Sequence, residues 1–475
     1  MKNSKLILLL GTFTPIEWRR FGDFLASPFF NKKTELLPFY TYLRSIAPDF
    51  LPKYLDKELL FKKFYPNQPF SNRALVHLNN YLLKQAEHFL ASLRLEQEEH
   101  TINTFILEEL MERKLDKHYK HYINRAKEIL SHKKHTSSNL YFHEYQLSDI
   151  AKRYFLGQKQ RKYDQNLQDS LDNLDRFYFF NKLKSSCEML VWKNILSADF
   201  SFSFTKEVVE HLENKSLVKD SITEIYLHVY YLLTKENAEK DFIQLRKLLI
   251  DNREVIPIIE KNYIYTFAIN FCGRQMKLNN NAFHYAAQCL ELYLEGINQK
   301  FLYVNGFLSP WTFKNIVKLG FNLKKFDWTA EFIQTYSTHL EKDFQEDALH
   351  YNMADLNYRK QDYGVAQNHL MLVKYSDMVY NLGAKTMLIK IYFETDEEEA
   401  LLSMIASFTI FLKRNKKISN NIRQTYLNFT SLLYQLLKAK PHKLLGIREK
   451  IRTTELLTDR RWLLKASEIT QKIFK

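Results

Sequence analysis

No proline occurs between Pro69 and Pro257, and seven of the ten prolines fall before residue 70. Proline removes a backbone donor and ends or starts helices, so this distribution permits long helices after residue 70 and forces short ones before it. Glycine is equally scarce, with ten in 475 residues. Sheets joined by two-residue turns and glycine-rich phosphate loops both need it. An all-α chain with short connections follows. Apolar residues make up 45% and aromatics 15%, enough to offset chain entropy and to pack helices along broad faces. The length exceeds what one core serves, so an extended array or several domains is expected.

Residues 1–100 read as an N-terminal compact helical domain. In "EWRRFGDFLASP" Trp18, Phe21, Phe24 and Leu25 fall on one stripe, and "NRALVHLNNYLLKQAEHFLASLRLEQ" is a longer helix built on Leu75, Leu78, Leu82, Leu83 and Phe89. The opening "MKNSKLILLLGTF" has the lysines of a secretory leader, but its apolar run is short and no small-x-small cleavage site follows. Thr14, Pro15 and Glu17 instead form a helix-start signature. The run is therefore expected to be the first folded element. No stretch approaches ~20 uninterrupted apolar residues, so no membrane span is expected.

Residues 101–220 read as a long-helix region, with "INTFILEELMERKL" and "KHYKHYINRAKEIL" as an antiparallel pair. "NLYFHEYQLSDIAKRYFLG" and "LKSSCEMLVWKNILS" read as two further helices, and "ADFSFSF" as a loop. From 221 to 410 the pattern is pairwise: helix, polar turn, helix. Asn279 to Asn281 read as one such turn, and Ser309 with Pro310 opens another pair.

The last pairs carry an internal echo. Met353 and Met387, Tyr358 and Tyr392, and Ala366 and Ala400 are each 34 positions apart. Ala354 and Ala366 are placed where two helices of a pair cross, and Tyr363 opens a second helix. Here the chain resembles tetratricopeptide-type (TPR-like) repeats, whose unit is a helical pair of about 34 residues. The likeness covers about 345–412, and it is weaker over 221–344. Leu388 and Glu397 depart from the pattern, the closing proline is missing, and Tyr358 lies one position past the usual aromatic. Upstream, Ala286 and Ala330 occupy similar places, but steps of 44, 36 and 34 residues show drifting loop lengths. The resemblance implies a right-handed α-solenoid of antiparallel pairs, because such units bury their faces only by stacking. "FGDFLASPFFN", "LDKELLFKKFYP" and "TDRRWLLKAS" are similar to a family of uncharacterised helical proteins of Bacteroidota-type bacteria. That likeness implies an all-helical fold and no activity.

Charge is distributed unevenly. Residues 411–475 hold sixteen Lys or Arg and four acids, +12 of the chain's +15. Lys413, Arg414, Lys416, Lys417, Lys443, Arg448, Lys450, Arg452, Arg460 and Arg461 form a candidate polyanion patch. The same residues also suit a solvated basic helical cap closing a stack. Recognition motifs for nucleic acid are missing. The pairs His118/His121 and His132/His135, with His143 nearby, have spacings that could hold a metal, or they are exposed helix histidines. No G-x-S-x-G, Walker or dinucleotide motif is present, and no catalytic, cofactor-binding or metal residue is assigned. Cys187, Cys272 and Cys289 lie far apart without a CxxC pair, which fits small core residues in a reducing cytoplasm. The aromatic segments at 228–233 and 263–271 suit either a core or a peptide groove. The expected function is non-catalytic: a scaffold or adaptor holding a protein or extended peptide on a concave repeat surface. Polyanion binding through 411–475 is the alternative.

Overall fold

The computed structural model describes residues 3–132, 137–159, 161–196, 199–214, 221–278, 281–374, 378–416 and 418–473. Among them are 23 α-helices, three single turns of 3-10 helix and one two-stranded hairpin. No helix among the described residues is long and apolar enough to cross a membrane. The chain divides into two compact units, 1–181 and 182–475.

In the first unit the proline-rich start yields four short helices, α1 (Lys5–Leu10), α2 (Pro15–Ala26), α3 (Leu36–Ser45) and α4 (Lys57–Phe64). They pack on α5 (Asn72–Gln97). One core joins Leu6, Leu10, Trp18, Phe21, Phe39, Leu82 and Phe89, so the apolar opening run is a buried element of this unit. The predicted start of α2 is present: Glu17 N–H donates to Thr14 Oγ1 at 3.2 Å, and Thr14 N–H donates to the Glu17 carboxylate at 2.7 Å. A second core lies among α6 (Glu99–Glu112), α7 (Asp116–Ser131) and α8 (Ser138–Gly157), built on Leu107, Tyr119, Ile123, Leu147 and Ile150. The segment expected as a separate helix at "LKSSCEMLVWKNILS" is instead the end of α9 (Gln165–Leu196). No Gly or Pro lies within α9 to break it, and it spans the division between the units.

The second unit adds α10 (Thr205–Asn214) and then five helix pairs. These are α11 (Ser221–Thr234) with α12 (Glu239–Asp251), and α13 (Ile258–Lys277) with α14 (Ala282–Asn298). The next are α15 (Pro310–Asn322) with α16 (Phe326–Tyr336), and α17 (Lys342–Lys360) with α18 (Tyr363–Met371). The fifth is α19 (Met378–Glu394) with α20 (Glu398–Arg414). Short turns and side-by-side packing make each pair antiparallel. First helices also pack on first helices, α11 on α13, α15 on α17 and α17 on α19. The chain ends in α21 (Asn420–Leu437), α22 (Leu444–Thr453) and α23 (Arg460–Ile473). One core runs from Leu382 to Ala466, so residues on both sides of position 410 share it.

The corners explain how pairs form with so little glycine. Lys114, Lys324, Gln361 and Asp396 hold the left-handed conformation, φ 56–68°, that glycine usually takes. The next residue's N–H then reaches back five positions: Leu115 to Leu110 O, Lys325 to Gly320 O, Asp362 to Asn357 O and Glu397 to Tyr392 O, at 2.9–3.0 Å. This Schellman bond satisfies carbonyls that the helix end leaves bare. Of the turn Asn279 to Asn281, only Asn281 is among the described residues, and it too is left-handed, φ 48°.

Two expectations need correction. A two-residue hairpin does exist: β1 (Tyr303–Val304) pairs with β2 (Phe307–Leu308) across Asn305 and Gly306, both at positive φ. Asn-Gly is the pair such a turn favours, and scarcity of glycine elsewhere did not remove it here. The α15/α16 crossing is also not made by Ala330, which is only half-buried. Gly320 makes it, since a Cβ there would lie 2.2 Å from Thr329 Oγ1. Only a residue with no side chain lets these helices approach so closely.

Candidate functional site

The site is built on α19, whose sequence, "MVYNLGAKTMLIKIYFE", is apolar almost all round. Such a helix must be covered on every side. One side, with Ala384, Met387, Leu388 and Ile391, packs into a cluster with Ala354, Ala366 and Leu370 of the preceding pair. The other, with Leu382 and Ile389, joins the core that holds α20 to α23. The C-terminal helix α23 supplies part of that cover, and its seat is specific.

Asp459, immediately before α23, places Oδ1 2.8 Å from Lys390 Nζ, and the two side chains are only 29% and 15% exposed. One turn on, Trp462 Nε1–H donates to Glu394 Oε1 at 3.0 Å. Its ring meets Phe393 edge-on at 5.3 Å between centroids and lies 6.1 Å from Phe429 of α21. Leu463 and Ala466 are fully buried beside it. Asp459, Trp462, Leu463 and Ala466 are spaced i, i+3, i+4 and i+7, one face of one helix. On the receiving side Lys390, Phe393 and Glu394 have the same short spacing. Arg461, Lys465 and Glu468 are exposed.

The same neighbourhood holds the tyrosines of the sequence echo. Lys390 Nζ sits 5.3 Å from the ring centre of Tyr358, and the Tyr358 and Tyr363 rings are 5.8 Å apart. Burial pushes the Tyr358 phenol up, the Glu394 charge adds to this, and the Trp462 N–H opposes it. Burial and then the Asp459 charge push Tyr426 up to about 12. Both phenols are neutral at ordinary pH. The arrangement grips a helix by one aromatic anchor, one ion pair and an apolar stripe.

Of the repeat residues, Ala354, Ala366 and Met387 are buried in the shared cluster, with Tyr358, Tyr363 and Tyr392 packed half-buried against it. Met353 and Ala400 are half-buried outside that cluster. The aromatic segments are mostly core. Tyr231, Tyr265, Phe267 and Phe271 are buried, and Tyr226 donates to Glu260, itself 2.6 Å from Lys184 Nζ. Tyr263 alone among the tyrosines of 263–271 is exposed.

The candidate polyanion patch divides. Lys413, Arg414, Lys416, Lys443, Lys450, Arg452 and Arg461 are exposed. Arg460 is half-buried and donates to the carbonyls of Ile451, Arg452 and Thr454, so it closes the end of α22. Arg448 is half-buried and pairs with Glu468. Lys417 lies outside the described residues. His118, His121 and His132 are exposed, and His143 packs on His100 with ring centroids 5.1 Å apart. His135 lies outside the described residues. Among the described residues no group of three or more His, Cys, Asp or Glu is placed to hold a metal ion. Cys187, Cys272 and Cys289 are buried thiols, and burial raises all three, Cys289 to about 12.

Lys390, Phe393, Glu394, Phe429, Asp459 and Trp462 were not singled out from the sequence. The signal was present in two places: the all-round apolar α19, and the stripe within "TDRRWLLKAS", where neighbouring arginines and lysines drew attention to charge instead. No family model, curated protein or solved structure matches this chain.

Proposed function

We propose that this chain is a non-catalytic scaffold or adaptor. Residues 221–410 build a right-handed, TPR-like α-solenoid, and the surface formed by its first helices holds a helical segment of another protein. The observation that carries the reading is the seat of α23. Helix α23 lies against α19, one of those first helices, with Trp462 against Phe393 and Asp459 on Lys390, and packs further on α21 and α22, an arrangement that resembles an amphipathic helix held in an apolar groove. Packing of α11 on α13, of α15 on α17 and of α17 on α19 also supports it.

Panning a library of helical peptides on the full chain tests this. Amphipathic sequences should be enriched and should bind almost independently of salt. A library that enriches nothing overturns the reading. Enriched acidic sequences whose binding collapses with salt would favour a second reading, polyanion binding through residues 411–475. The exposure of Lys413, Arg414, Lys416, Lys443, Lys450, Arg452 and Arg461 supports that alternative.

A further inference from the structure

In the first unit a cavity of about 640 Å³ opens where α1, α4 and α5 begin, within the roughly 300–1,000 Å³ of small-molecule sites. Asn72, Leu75, Val76, Asn79 and Asn80 line it from α5, and their spacing of i, i+3, i+4, i+7 and i+8 sets them on one face. Asn79 is the anomaly among them. It sits in the buried stripe of Leu75, Leu78 and Leu82, is 8% exposed, and its Oδ1 has no hydrogen-bond partner among the described residues. An unpaired buried amide lowers stability and calls for an explanation. Asn79 belongs to the cavity wall, and a turn of its amide about the soft last torsion presents oxygen or nitrogen to whatever fills the space. The remaining groups set the charge. Among the described residues no acid lines the cavity, and Lys57, the first residue of α4, is its one cation. Asp56 beside it is committed to its own helix, accepting from Glu58 N–H and Leu59 N–H at 3.0 Å. The positive ends of α4 and α5 add to Lys57. We propose that this cavity binds a small hydroxylated organic anion, a sugar acid or sugar phosphate. Its acid group lies by Lys57 and Asn72, and its carbon skeleton lies against Leu75 and Val76. Its hydroxyls, which both donate and accept, meet Asn79 and Asn80. Asn72 and Asn79 are about 10 Å apart along the helix axis, which separates the charged end from the hydroxyl end.

Calorimetric titration of the full chain with glucose 6-phosphate, glucuronate, glucose and inorganic phosphate tests this. One of the two acids should bind at least about tenfold more tightly than glucose or inorganic phosphate, and which of them binds tells phosphate from carboxylate. Lys57→Gln should weaken that acid by about tenfold and flatten its salt dependence. Asn79→Leu should weaken it by about the same factor while the melting temperature holds or rises, because the unpaired amide is gone. A fall in melting temperature in Asn79→Leu overturns the proposal, since the amide is then a structural group. Glucose binding as tightly as either acid overturns it, as does binding of inorganic phosphate alone or of none of the four up to about 10 mM. Equal affinity of the acid for the unaltered chain and both variants puts its site elsewhere and overturns the proposal too.

Discussion

At the scale of single residues, the most exposed consequence of packing is the histidine pair between α17 and α18. His350 Nδ1 and His369 Nδ1 are 3.2 Å apart, so one ring donates and the other must accept. Burial, and then the charge of His350, lowers His369 below its ordinary value of 6.5. A folded value below the unfolded one means that stability is whole above about 6.5 and is lost as pH falls through the folded value. The full chain should therefore lose melting temperature between pH ~7.5 and pH ~5, and His369→Gln should lose less over the same interval. Identical losses in the two chains would show that this pair does not contribute. The other titrating groups are shared by both chains, so the comparison isolates one ring.

At the scale of elements, the corners are the departure from ordinary design. A side chain held in the left-handed region costs roughly 1–2 kcal/mol, against which glycine's greater chain entropy offsets about 0.5–1 kcal/mol. Lys324→Gly and Gln361→Gly should each raise stability by up to about 1 kcal/mol, read as a higher denaturant midpoint. A fall in either would mean that these side chains make contacts that outweigh the strain. The helices themselves were legible. "NRALVHLNNYLLKQAEHFLASLRLEQ" coincides with α5, the helix starts at Thr14 and Ser309 are as read, and all five pairs after residue 221 exist. Amphipathic spacing and capping chemistry are local, so one sequence reveals them. The corners were not legible, because a lysine or glutamine ending a helix looks like one inside it. The Asn305–Gly306 hairpin was legible but was outweighed by overall composition. The seat of α23 was hidden for a different reason. Glu394 lies 68 positions before Trp462, and pairing across such a distance leaves no periodicity to detect.

At the scale of the whole molecule, each unit has its own core. Leu6 to Phe89 form one in the first unit, and Leu382 to Ala466 form one in the second. Cores that share no residues need not melt together, and stacked pairs gain stability mainly from their immediate neighbours. Hydrogen exchange in increasing denaturant should release the amides of α5 and those of α19 at different midpoints. Coincident release would mean one cooperative body. The indole of Trp462 adds a practical consequence. Only five tryptophans are present, of which Trp18 is sealed in the first core while Trp192 and Trp311 already face water. Withdrawing α23 would carry Trp462 from between phenylalanine rings into solvent and turn its emission redder. The emission of this indole therefore reports the packing of α23 on α19 and α21, readable without a label.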